Sequence, residues 1–136
     1  MTETILKMQK KVKRYLDKDR YDHTIGVMHT AGCLAMRYGA NLEQALTAGL
    51  LHDCAKCVPA DEKIKLCEKN HIEISDAEYK NPGLLHAKLG AFFARKKYGI
   101  ENEEILRSIE SLTTGRPNMS LLDKIIYIAD YIEPGR

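Results

Sequence analysis

The sequence predicts an all-α domain built as a single helical bundle. Apolar residues recur at helical spacing through most of the chain, and helix-capping residues stand between the apolar stretches. No stretch alternates apolar and polar residues as a half-buried strand would. With 136 residues, 44% hydrophobic and 29% charged, the chain suits one compact domain with a real core.

A first helix is predicted over 3–17, where Ile5, Leu6, Val12, Tyr15 and Leu16 form a stripe. Its Lys10-Lys11-Val12-Lys13-Arg14 segment reads as a solvated face. A second helix is predicted over 21–38, stopped by Gly39. Asn41 followed by Gln44 resembles a capping box opening a third helix over 42–52, apolar on nearly all sides and therefore central. Pro59 begins a polar segment over 60–70, and Ser75 with Glu78 signals one or two further helical turns. Asn81-Pro82-Gly83 breaks the chain before a helix over 84–98 that Gly99 stops. Another helix is expected over 102–112, then a loop from Thr113 to Asn118. Ser120 with Asp123 opens a last helix from Leu121 to Ile132, ahead of Pro134-Gly135.

The net charge is +2 with both signs mixed, which argues against nucleic-acid or membrane-surface partners. No run approaches the ~20 apolar residues of a membrane span, and Met-Thr-Glu-Thr lacks the plan of a signal peptide. The expected location is the cytoplasm, with the four cysteines reduced.

The pair His52-Asp53, at the end of the apolar run Ala45 to Leu51, carries the first chemical signal. A carboxylate at the edge of a core is normally paired or bound to a metal. Asp130 lies in the apolar repeat Ile125 to Ile132, where a metal ligand explains it better than a buried ion pair or a cap. His23 on its amphipathic helix suits a hydrogen-bonded core residue or a ligand, and His86 suits a cap, an anion contact or a ligand. His29 is six positions from His23, about 240° round a helix, and is excluded; His71 lies in a polar stretch and is expected to be exposed. Cys54 and Cys57 form a C-x-x-C with no second pair and no βαβ surroundings, so a zinc or redox role is a minor reading.

The ordered set His23, His52-Asp53, His86 and Asp130, one feature per predicted helix, resembles the H…HD…D signature of the HD superfamily of metal-dependent phosphohydrolases. Arg20-Tyr21-Asp22-His23-Thr24, Leu50 to Lys56, Leu84-Leu85-His86, Thr113 to Pro117 and Lys124 to Arg136 resemble the motifs of one branch, the YqeK family. Members of that family split diadenosine tetraphosphate symmetrically into two ADP. The resemblance runs from about residue 18 to the last residue.

It implies a single HD-domain bundle over 1–136 with one or two divalent ions, iron foremost and manganese as an alternative. The implied metal ligands are His23, His52, Asp53, His86 and Asp130. Asp53 and Lys56 are the implied catalytic residues. Arg20, His86, Thr113, Thr114, Arg116, Asp130 and Arg136 are candidates for substrate contact, and the Thr-Thr-Gly turn is a candidate backbone anion site, with ordinary turn chemistry equally suited. A nucleotide is the expected partner, and a homodimer is compatible with the family.

Two departures modify this picture. The family's histidine before Thr-Thr-Gly is Leu112 here, which cannot ligate, so five of six implied ligands are present. That opens two alternatives: a single-metal phosphohydrolase for another nucleotide, or a nucleotide-binding protein with weak turnover. Family members also continue past Glu-Pro-Gly-Arg with further helices, and a chain ending at Arg136 is expected to have a more open pocket.

Overall fold

The computed structural model describes residues 2–136. Among them the chain forms α1 (Glu3–Lys13), α2 (Lys18–Tyr38), α3 (Leu42–Leu51), α4 (Ala60–Lys69) and α5 (Asp76–Lys80). A 3-10 turn at Pro82–Leu85 leads into α6 (His86–Tyr98), followed by α7 (Glu103–Glu110) and α8 (Leu121–Ile132). The described residues contain no strand, as the sequence predicts.

The boundaries shift for local reasons. The Asp17 side chain accepts the Arg20 N–H at 2.8 Å, so α2 begins at Lys18 rather than at 21 and α1 ends at Lys13. Asn41 caps α3 by accepting the Gln44 N–H, without the reciprocal bond of a capping box. Ser75 with Glu78 and Ser120 with Asp123 do form complete boxes. The polar segment after Pro59 is helical, its inner face carrying Cys67 and the stem of Lys63. Leu112 lies just beyond α7, in a turn.

Two apolar clusters divide the bundle. The larger joins α1, α2, α3, α7 and α8 around Val27, Met28, Leu50, Leu51, Ile109 and Ile126, all wholly buried. Side chains of this kind each contribute on the order of 2 kcal/mol by leaving water. The smaller packs Cys54, Ala55, Cys67, Leu85, Leu89 and Phe93 between α4 and α6. At Gly49 an added Cβ would lie 2.9 Å from the Met28 Cα, so α3 seats directly on α2. His52 and Asp53 follow immediately, at the seam between the two clusters.

Candidate metal centre

Three helices and the end of a fourth converge at this seam. His23 projects from the second turn of α2, His52 forms the C-cap of α3, His86 opens α6 and Asp130 lies on the last turn of α8. The three histidines share one hydrogen-bonding arrangement. His52 Nδ1–H donates to the Gly49 carbonyl at 2.7 Å, and His86 Nδ1–H donates to the Gly83 carbonyl at 2.8 Å. His23 Nδ1–H donates to Glu133 Oε1 at 2.7 Å. Each ring is thereby oriented with Nε2 turned to the centre, the arrangement that metal-ligating imidazoles adopt.

The donor spacing fits an ion. One donor atom from each of His23, His52 and Asp130 lies within 4.8 Å of the others. His23 Nε2 is 2.9 Å and His52 Nε2 is 3.4 Å from Asp130 Oδ1. Donors that surround an ion at ~2.0–2.2 Å stand roughly 2.8–3.6 Å apart across octahedral and tetrahedral geometries. His52 Nε2 is buried without a hydrogen-bond partner, although Asp53 Oδ2 also lies at 3.4 Å. A buried polar atom of this kind calls for a partner, and a cation shared with the two carboxylates would supply it.

Asp53 is almost fully buried and faces two ways. Its Oδ2 accepts from Arg20 Nη1 at 2.7 Å, and its Oδ1 lies 3.5 Å from His86 Nε2. Burial would raise the Asp53 pKa, but His52, His86 and Arg20 together hold the carboxyl far below the ordinary carboxylate range. Asp130 is likewise held down, against burial, by His52 and His23. Burial would lower His52, yet Asp53 and Asp130 outweigh it and raise its pKa to about 10. Burial dominates at His86, whose pKa is lowered, leaving a neutral ring.

A cavity of about 220 Å³ opens onto these groups. Arg20, Thr113 and Arg136 from the predicted substrate set and Lys56 from the predicted catalytic pair line it, together with His23, Asp53, His86 and Asp130. Arg136 Nη1 donates to the Asp130 carbonyl at 3.1 Å, which draws the C-terminal turn over the site. Leu112 is buried and also lines the cavity, at the place where the sequence lacks a ligand.

Two predicted substrate residues are elsewhere. Arg116 Nη2 pairs at 2.6 Å with Asp123 Oδ2, a wholly buried carboxylate, so its guanidinium holds the loop to the first turn of α8. Thr114 is exposed and turned away from the cavity lining, its hydroxyl donating to the Gly115 carbonyl. The Gly115 N–H donates to the Ser111 carbonyl at 2.8 Å, so the Thr-Thr-Gly segment is an ordinary helix-end turn and that amide is not offered to an anion.

His71 is exposed, as the sequence predicts, and His29 is exposed as well. Cys54 and Cys57 are both free thiols, one buried and one exposed. Sequence reasoning passed over three residues: Glu133, which orients His23, and Tyr127 and Tyr131, which line the cavity. For Tyr127 and Glu133 the signal is their helical offset, each three positions from Asp130.

A family model for the HD domain matches residues 20–135, which include every one of these donors. The chain belongs to the HD domain family. HD domains depend on a divalent metal, and the donor set described above fits that requirement. This HD domain is 48% identical over 125 residues to a symmetrical bis(5'-nucleosyl)-tetraphosphatase of Halalkalibacterium halodurans, covering 92% of the chain and 66% of that protein. It is 43% identical to the Bacillus subtilis protein of the same name, covering 92% of the chain and 67% of the relative. The chain thus spans about two thirds of the length of these curated relatives. A crystallised HD superfamily hydrolase of Clostridium acetobutylicum, described as involved in NAD metabolism, superposes with a TM-score of 0.91 at 49% identity. That match covers 96% of this HD domain and 69% of the crystallised chain. No helix among the described residues is long and apolar enough to cross a membrane.

Proposed function

We propose that this HD domain hydrolyses diadenosine tetraphosphate symmetrically, giving two ADP, in the cytoplasm. The observation that carries the reading is the set of three oriented Nε2 atoms and two carboxylates at the base of a cavity edged by Arg20, Lys56 and Arg136. The printed activity of the two relatives above points to the same reaction.

His23, His52 and Asp130 would hold a divalent ion, iron foremost and manganese as an alternative, with Asp53 beside them. When bound, such an ion makes water nucleophilic near neutral pH and offsets phosphate charge. Arg20, Lys56 and Arg136 bind the polyphosphate and set its central phosphates over the donors. The Thr113 hydroxyl is buried without a partner at the cavity wall and can donate to a phosphate oxygen. His86 is neutral and anchored through Nδ1, so Nε2 is positioned to accept a proton or a hydrogen bond from the reacting groups. Tyr127 and Tyr131, one turn apart on α8, offer ring faces on which adenine can stack.

The test is incubation with diadenosine tetraphosphate and Fe²⁺ or Mn²⁺, followed by separation of the nucleotides. ADP as the sole product, lost in Asp53→Ala, is the expected result. Equal amounts of ATP and AMP, or unchanged turnover in Asp53→Ala, would overturn the reading.

A further inference from the structure

We propose that the centre holds one divalent ion, on His23, His52 and Asp130, and that the Arg20 guanidinium serves as the second positive charge, fixed on Asp53. This rests on the metal-dependent reading above. Among the described residues, one group of three donors converges closely enough for an ion. On the far side of Asp53 only His86 Nε2 approaches, at 3.5 Å from Oδ1. Leu112, a buried hydrocarbon side chain, lines the same cavity as both and offers no donor. A second ion would find two protein donors there, whereas catalytic sites generally supply three.

The other carboxylate oxygen of Asp53, the one that faces His52, carries a fixed positive charge instead. Arg20 Nη1 donates to Asp53 Oδ2 at 2.7 Å, and the carboxylate is only 4% exposed. A guanidinium remains protonated at any working pH and carries further N–H donors in a rigid fork. With one group on the carboxylate, the remaining donors are available to a phosphate oxygen in the cavity that Arg20 also lines. One side chain thus neutralises Asp53 and presents positive charge to substrate. His86, holding no ion, keeps Nε2 as an acceptor for a hydrogen bond from the reacting groups.

The experiment is metal titration of the chelator-treated protein, read by calorimetry and by Mn²⁺ electron paramagnetic resonance. The parent is expected to bind one equivalent, His86→Ala one and His23→Ala none. Leu112→His, with an unchanged circular dichroism spectrum, is expected to bind two. Arg20→Gln is expected to keep one equivalent but to bind ADP about tenfold more weakly when loaded. Two equivalents in the parent, loss of the ion in His86→Ala, one equivalent in folded Leu112→His, or full ADP affinity in Arg20→Gln would each overturn the proposal. No binding by the parent would instead overturn the metal-dependent reading on which it stands. Because His86→Ala and Arg20→Gln need no tolerance at position 112, the proposal stays testable if Leu112→His fails to fold.

Discussion

Glu133 fixes the orientation of His23. Its Oε1 accepts the His23 Nδ1–H at 2.7 Å while the opposite ring nitrogen meets Asp130 at 2.9 Å. The glutamate is buried and its second oxygen accepts the Gly135 N–H at 2.8 Å, so it cannot swing away cheaply. It sets both the tautomer and the basicity of His23. Glu133→Gln keeps the size but presents a weaker acceptor and a competing NH₂ donor. Affinity for a divalent ion is expected to fall roughly 10- to 100-fold, with the thermal midpoint of the chelated protein little changed. Calorimetric titration of parent and variant checks this, and equal affinities would show that Glu133 is not the orienting group.

Gly26 makes room for that glutamate. A Cβ at position 26 would lie 2.7 Å from Glu133 Cδ and 2.8 Å from its Cγ, closer than side chains tolerate. Gly26→Ala is therefore expected to weaken metal binding through Glu133, with a stability cost of about 1–3 kcal/mol from overpacking. The two positions should couple: in a Glu133→Ala background, Gly26→Ala should cost much less. A double-mutant cycle on metal affinity and denaturation midpoint measures the coupling, and additive effects would refute the contact as the cause.

The sequence displayed the parts of this site that carry charge in apolar surroundings. His52-Asp53 and Asp130 are conspicuous because each interrupts an apolar run, and His23 and His86 follow once the family pattern is recognised. The helix count was readable from capping residues, but α2 starts early because Asp17, unremarkable in the sequence, has its side chain on the Arg20 amide. Glu133 is inconspicuous because it sits among the polar residues that end a helix, where a solvated carboxylate is the ordinary expectation. Arg116 is obscured for the converse reason. A basic residue beside Thr-Thr-Gly suggests an anion contact, while its partner Asp123 reads locally as half of a capping box. Pairings between a loop and the inner face of a helix arise from packing, and no local spacing encodes them.

Arg116 then makes a prediction of its own. Its guanidinium is the counterion of a fully buried carboxylate, with an N···O distance of 2.6 Å. Removing one partner of such a pair leaves a buried charge exposed to a low dielectric. Arg116→Ala is expected to lower stability by about 2–3 kcal/mol while changing KM for the nucleotide less than twofold. Chemical denaturation and steady-state kinetics separate the two effects. A large rise in KM without loss of stability would return Arg116 to the substrate.

The cysteines should divide by exposure. Cys33 and Cys57 are exposed, whereas Cys54 and Cys67 are buried. Burial and the neighbouring Asp53 push the Cys54 thiol up to about 12, so it holds almost no thiolate at neutral pH. Its hydrogen goes to the Gly90 carbonyl at 3.5 Å. Titration with a thiol reagent near pH 8 is expected to modify two thiols quickly in the native protein and all four after denaturation. Fast labelling of Cys54, or a disulfide between Cys54 and Cys57, would contradict the buried, inert role.

Proton and metal compete for His52 Nε2, and the sign of that competition is fixed by the two carboxylates. In chelated protein the His52 pKa is raised from 6.5 to about 10, because Asp53 and Asp130 outweigh burial. The folded value lies above the unfolded one. The imidazolium therefore stabilises the chelated protein fully below pH 6.5, and this contribution is lost as pH rises through about 10. A divalent ion must displace the same proton, so its apparent affinity should rise about tenfold per pH unit over that interval. The thermal midpoint of the chelated protein is expected to fall between about pH 6.5 and 9.5. The increment produced by added metal should grow over the same interval, and calorimetric binding in two buffers of different ionisation enthalpy should register about one proton released per ion. An increment independent of pH, with no proton released, would mean that Nε2 already carries its lone pair and that the carboxylates do not set its charge.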